Sequence, residues 1–188
     1  MEKSRIFLWF PFLIIFLLIS PAFSLTLTRG PYIQNLQPGS AVVIWKTDEA
    51  TTGSEVQYGL TSVYTHNATD PTLGIQHSVN LTGLDEGTIY HYQVKSGGET
   101  LTGELTFHSA KGPGFDSFVF VAMGDHRTNP TTHTLVADRV ELIDPEIVID
   151  SGDLVSDGNV ESNWDPQFFT PEKDVMSRTC FFPSIGNH

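Results

Sequence analysis

The chain has 188 residues, 39% of them hydrophobic, with 13 Phe, 5 Tyr and 3 Trp. That content can fill a core, and no 20–50-residue period recurs, so a wholly disordered chain and a repeat solenoid are both excluded. The chain carries 10 basic and 22 acidic residues, a net charge of −12, and no basic run offsets it, which excludes a nucleic-acid-binding module.

Met1 to Ser24 has the grammar of a secretory signal peptide. Lys3 and Arg5 precede the apolar run Ile6 to Ile19, and Ala22-Phe23-Ser24 offers small residues for cleavage. The expectation is export, extracellular or periplasmic, without stable membrane insertion unless the leader stays uncleaved as an anchor. Removing it leaves 164 residues with 8 basic and 21 acidic side chains, a net charge of −13. That length suits a medium domain, or a small domain plus part of another. The single Cys180 forms no internal disulfide and reads as a small buried apolar residue. Asn67-Ala-Thr and Asn80-Leu-Thr match the glycosylation pattern.

Residues 25–109 read as one sandwich domain. A broken first strand spans Thr26–Leu36, followed by Ser40–Thr47, Ser54–Gly59, Ile75–Leu81, Ile89–Lys95 and Leu101–His108, all separated by Gly, Pro and Asp turn signals. Short strands at this spacing, with no helical period, predict an antiparallel β-sandwich. Tyr90, Tyr92 and Val94 alternate onto one face, with His91 and Gln93 on the other. Leu84, six residues before Tyr90, fits a tyrosine corner, and Trp45 fits a core plate. On Leu84, Tyr90, Tyr92 and Trp45 this stretch resembles a fibronectin type III domain, a fold that by itself specifies no activity. His66, His77, His91 and His108 lack ligand spacing and read as surface or strand-face residues.

Residues 110–116 are small and Pro/Gly-rich and read as a linker; residues 117–188 then change to α/β grammar. Ser117–Met123 is a nearly continuous apolar run, expected as a strand buried on both faces. Leu135, Val136, Val140 and Ile143 form a helical stripe over Thr131–Ile143, with Thr131 or Thr132 as its cap. A second buried strand is expected at Glu146–Asp150. After it come a long loop, a short helical stretch at Pro171–Arg178 and a third strand at Phe181–Ile185. Two successive βαβ crossovers predict a parallel sheet.

Each of these strands ends in a polar motif: Gly124-Asp125-His126-Arg127, Gly152-Asp153, and Gly186-Asn187-His188. Ligands gather at the carboxyl ends of strands in open α/β sheets, so all three motifs should share one rim. Two carboxylates and an amide oxygen are hard donors suited to divalent cations, and a carboxylate such as Asp153 has an oxygen for each of two ions. These motifs, in this order and behind a sandwich, resemble the calcineurin-like metallophosphoesterases, within them the purple acid phosphatase branch. The resemblance implies Asp125 as a terminal ligand of a first metal, Asp153 as a bridging ligand and Asn187 as a ligand of a second metal. It also implies His188 beside the substrate, stabilising or protonating the leaving oxygen. The implied reaction is attack of a metal-bound hydroxide on a small-molecule phosphoester, as in an acid phosphatase.

The sequence departs from that family at two places. Ser156 stands where the purple branch has its iron-binding Tyr, so two Mn, Zn or ferrous ions and a colourless protein are expected. Arg127 stands where the broader family has a His ligand, with His126 one residue earlier. Arg127 has two readings, a bidentate phosphate contact or an ion pair with nearby carboxylates; His126 is a candidate ligand or substrate contact. The family supplies further histidines downstream of the third motif, so the chain reads as the N-terminal part of a longer enzyme, expected to be inactive and poorly soluble alone. A phosphodiesterase or nucleotidase is the alternative within the class. A secreted binding or adhesion protein, with the sandwich as its functional part, is the alternative outside it.

Overall fold

The computed structural model describes residues 24–188; the expected leader, apart from Ser24, lies outside them. Among the described residues, no helix is long and apolar enough to cross a membrane.

The first half is an antiparallel sandwich. β1 (Leu27–Gln37), β2 (Ser40–Thr51) and β5 (Gly74–Thr82) form one sheet in the order β1-β2-β5. β4 (His66–Asp70), β3 (Ser54–Gly59) and β6 (Ile89–Ser96) begin the other; β7 (Glu99–Thr100) and β8 (Leu105–His108) pair in turn with β6. Alternation drives the packing: Tyr90, Tyr92 and Val94 point inward from β6 and meet Val43 and Trp45 from β2 and Phe107 from β8. Full burial of each such side chain stabilises the fold by about 1.5–3 kcal/mol. Trp45 is fully buried and its Nε1 donates to Ser96 Oγ at 2.9 Å. The tyrosine corner is present, with the Tyr90 hydroxyl accepting from Asp85 N at 3.0 Å.

Two sandwich details differ from the sequence reading. β4 stands where the sequence marks no strand, since His-Asn-Ala-Thr-Asp has no apolar face; it is an edge strand held by backbone pairing to β3. His77 is a core residue, not a strand-face one. It is 2% exposed, lies 2.8 Å from Thr47 Oγ1 and Ser54 Oγ, and stacks on Trp45. Burial pushes its pKa below the ordinary 6.5.

The second half is α/β. β9 (Phe120–Met123), β10 (Ile147–Asp150) and β11 (Cys180–Pro183) form a parallel sheet with β10 in the centre. α1 (Pro130–Ile143) connects the first two strands. α2 (Glu161–Trp164), a π-helical turn (Asp165–Phe169) and α3 (Lys173–Met176) connect the last two. The π turn falls where the sequence suggested only loop. Trp164 and Phe168 stand at helical spacing, while Phe169 follows Trp164 by five residues, the spacing of a π turn.

Four features of this half differ from the sequence expectation. β9 starts at Phe120 rather than Ser117, because Val119 N donates to Glu146 Oε2 and Ser117 O accepts from Lys111 Nζ. Its burial is one-sided: Val121, Val148 and Phe181 pack against the helices, whereas Phe120, Ile149 and Phe182 are 54%, 44% and 47% exposed. The cap of α1 is Asn129, whose Oδ1 accepts from Thr132 N at 3.1 Å. That helix buries His133, Ala137 and Val140, while Leu135, Val136 and Ile143 face outward.

The two halves share an interface. Arg29 on β1 lies 4.2 Å over the Phe169 ring and grips Asp165 with two bonds, at 2.6 and 2.9 Å. The Tyr92 hydroxyl donates to Ser177 O at 2.5 Å, and burial pushes its pKa far up, so it stays a donor. Cys180 is buried against the sandwich core, as expected for a small apolar residue, and burial raises its pKa too.

Candidate metal centre

Parallel pairing puts Met123, Asp150 and Pro183 in register at the carboxyl ends of the three strands. The turns beyond them meet on one rim. Asp125 N donates to Gly152 O at 2.9 Å and Asn187 N to Asp153 Oδ1 at 2.8 Å; His188 N reaches the same oxygen at 3.1 Å. All three sequence motifs thus come together.

The backbone at the rim is strained where the carboxylates stand. Asp125 and Asp153 both have φ of 58°, a left-handed conformation that costs an ordinary residue about 1–2 kcal/mol. Gly152 has φ of 102°, and a Cβ there would lie 2.5 Å from Gly186 N and 2.8 Å from Gly186 Cα. Only glycine lets the second and third turns touch. The result is that Asp125 and Asp153 are aimed at a common point.

A cation stands at that point. The Arg127 guanidinium contacts Asp125 Oδ1 and, at 2.5 Å, Asp153 Oδ2 through the same nitrogen, Nη1. Asp153 divides its oxygens, Oδ1 held by two backbone N–H groups and Oδ2 turned to the cation. Partial burial pushes the Asp153 carboxyl up, but those N–H groups and Arg127 outweigh it and hold it below its ordinary range. Asp153 therefore stays ionised facing the cation, and Asp125 meets the same guanidinium nitrogen. Among the described residues, no group of three or more His, Cys, Asp or Glu is gathered closely enough to hold a metal ion. The donors fit a cation between Asp125 and Asp153 and leave further ligand positions to be filled.

His188 bonds through Nδ1 to Ser156 O at 3.0 Å. A carbonyl only accepts, so Nδ1 carries a proton and Nε2 is the nitrogen left for other work. Ser156, at the position of the family's Tyr, has its hydroxyl 3.2 Å from Asn163 Nδ2. An apolar cavity of about 650 Å³ opens beside His188, with Trp164, Phe168 and Phe181 in its walls.

His126 lies elsewhere. Its Nε2 donates to the buried Asp150 carboxylate at 2.7 Å, and the other Asp150 oxygen accepts from Gly152 N at 2.9 Å. Its ring centroid lies 3.9 Å from that of His133, tilted by 39°, and His133 Nε2 lies 2.6 Å from Glu172, His133 and Glu172 both being fully buried. This His126–Asp150–Gly152 chain ties the first turn to the second. Asp150 is the polar end of the run Ile147–Asp150 and could have been noticed there; His133 and Glu172 carry no sequence signal, since tertiary packing alone pairs them.

Residues 31–109 match the family model described as "Purple acid Phosphatase, N-terminal domain". The chain thus carries a domain of that type ahead of its α/β part. Among solved structures, one titled "Structure of PhoD" superposes with a TM-score of 0.59 at 11% identity, over 84% of this chain and 38% of that one. The shared fold therefore runs through both halves, and this chain spans well under half of the PhoD chain. The sensor domain of the anti-sigma factor RsgI4 from Pseudobacteroides cellulosolvens (12% identity, TM-score 0.36) is covered over 75% by 47% of this chain. A structure titled "Myokine structure" (22%, TM-score 0.34) is covered over 98% by 44% of this chain. No curated protein matches the chain.

Proposed function

We propose that this chain, with its purple acid phosphatase-type N-terminal domain, belongs to an exported, metal-dependent phosphoesterase that hydrolyses small phosphomonoesters. The observation that carries the reading is the pair of left-handed aspartates, Asp125 and Asp153, aimed at one cation position on the strand-end rim. Residues held in costly conformations cluster at functional sites. Two divalent ions of Mn, Zn or ferrous iron, when bound, supply Lewis acidity that activates water and neutralises phosphoryl charge.

This chain's own residues then have distinct tasks. Asp125, Asp153 and Asn187 would hold the cations. Backbone N–H groups fix Asp153 Oδ1 and leave Oδ2 turned toward the cation position. His188, with Nδ1 pinned to Ser156 O, presents Nε2 to the leaving oxygen. The cavity beside it suits an apolar leaving group. His126 fixes the distance between the two aspartate turns through Asp150. With Ser156 in place of a tyrosinate ligand, the loaded protein is colourless.

The reading is tested with orthovanadate, a phosphoryl analogue, titrated into the protein with and without Mn²⁺. Binding that requires Mn²⁺ and is lost in Asp153→Asn supports it. Vanadate binding indifferent to both would refute it.

A further inference from the structure

The Arg127 guanidinium occupies the point toward which both aspartates aim, and it does so by construction. Arg127 lies two residues after Asp125, and the left-handed turn at Asp125 folds the chain back so that one nitrogen, Nη1, touches both carboxylates. The arginine side chain is 23% exposed, that of Asp153 15% and that of Asp125 76%, so solvent screens the Arg127–Asp153 contact less than the Arg127–Asp125 one. Two carboxylates converging without a cation would repel one another, and the protein supplies its own.

We infer that Arg127 is a built-in counter-cation: it neutralises the Asp125–Asp153 pair while the centre is metal-free, and a metal ion must displace it to bind. The inference rests on the proposed metal centre and adds a control over its loading. A guanidinium carries one positive charge and a divalent ion two, so displacement favours the metal, at a weakened apparent affinity. Once released, the arginine remains beside the site as a planar, two-pronged donor for a phosphoryl group. The two readings of Arg127 open in the sequence thus become successive states of one side chain.

The test is a calorimetric titration of Mn²⁺ into the wild-type protein, Arg127→Gln and Arg127→Lys, with unfolding temperatures measured with and without Mn²⁺. Removing the competing charge should tighten Mn²⁺ binding by about tenfold or more in Arg127→Gln, while Arg127→Lys, which keeps the charge, stays near wild type. Arg127→Gln should also be the less stable protein without Mn²⁺ and show the larger rise in unfolding temperature with it. That crossed pattern is one a purely structural arginine would not give. Unchanged or weaker Mn²⁺ binding in Arg127→Gln overturns the inference and leaves the metal centre standing. Absence of Mn²⁺ binding in all three proteins overturns both.

Discussion

Gly152→Ala is the substitution that most sharply probes how the rim is assembled. The methyl carbon would lie 2.5 Å from Gly186 N, 2.8 Å from Gly186 Cα and 3.0 Å from the Ile185 carbonyl carbon. All three neighbours are backbone, so no side chain can rotate away. Ordinary contact begins near 3.4 Å, so the second and third turns must part by about 0.9 Å. The substitution also places a side chain at φ of 102°. Backbone strain of that kind costs about 1–3 kcal/mol, and overpacking adds about 1–3 more, for a total of roughly 2–6 kcal/mol. In a chain of this length each kcal/mol lowers the unfolding temperature by about 2–4 °C. Gly98→Ala is the matched control, since it has φ of 86° and nothing within 4 Å of its added carbon, so it bears only the backbone term. Thermal unfolding of the two variants separates the terms, and Mn²⁺ titration reads the geometry, because Gly152 lies between Asp150 and Asp153, the proposed ligand. Gly152→Ala should unfold lower than Gly98→Ala and lose Mn²⁺ binding. If the two variants match in stability and both bind Mn²⁺ normally, the close turn-to-turn contact does not organise the site.

Two further outcomes follow from buried polar groups. Burial holds His77 below its ordinary pKa of 6.5, so the unfolded chain takes up the proton first, and stability should fall as pH drops from 6.5 toward the folded value. Unfolding temperatures at pH 7.5 and 5 check this, and His77→Gln should show a smaller fall than wild type. Tyr92→Phe removes the donor to Ser177 O and leaves that carbonyl unpaired where the two halves meet, for a loss of about 1–3 kcal/mol by thermal or urea unfolding.

The sandwich was legible because its signals are local. Tyr90, Tyr92 and Val94 alternate, and Trp45 has one place to go. β4 was not legible, because an edge strand such as His66–Asp70 owes its form to the partner it pairs with rather than to its own residues. The α/β strands were found as apolar runs, but a run does not say which face will be covered, and Phe120 and Ile149 proved exposed. The stripe on α1 failed for a related reason: the buried face runs through His133, an unpromising core residue until Glu172 is brought to it. The rim motifs could be read because glycine before a polar residue at a strand end has a mechanical meaning. Which charge settles between the carboxylates could not be read, since Arg127 reaches them only through the left-handed turn at Asp125.

In the proposed phosphoesterase centre, Asp125 and Asp153 form a cation cradle. Its most direct test is the Mn²⁺ half of the vanadate experiment: calorimetric titration of Mn²⁺ into the wild-type protein and Asp153→Asn, with circular dichroism confirming that both are folded. Saturable binding in the wild type, weakened about tenfold or more in Asp153→Asn, is the predicted result. Equal affinity in two folded proteins would contradict it.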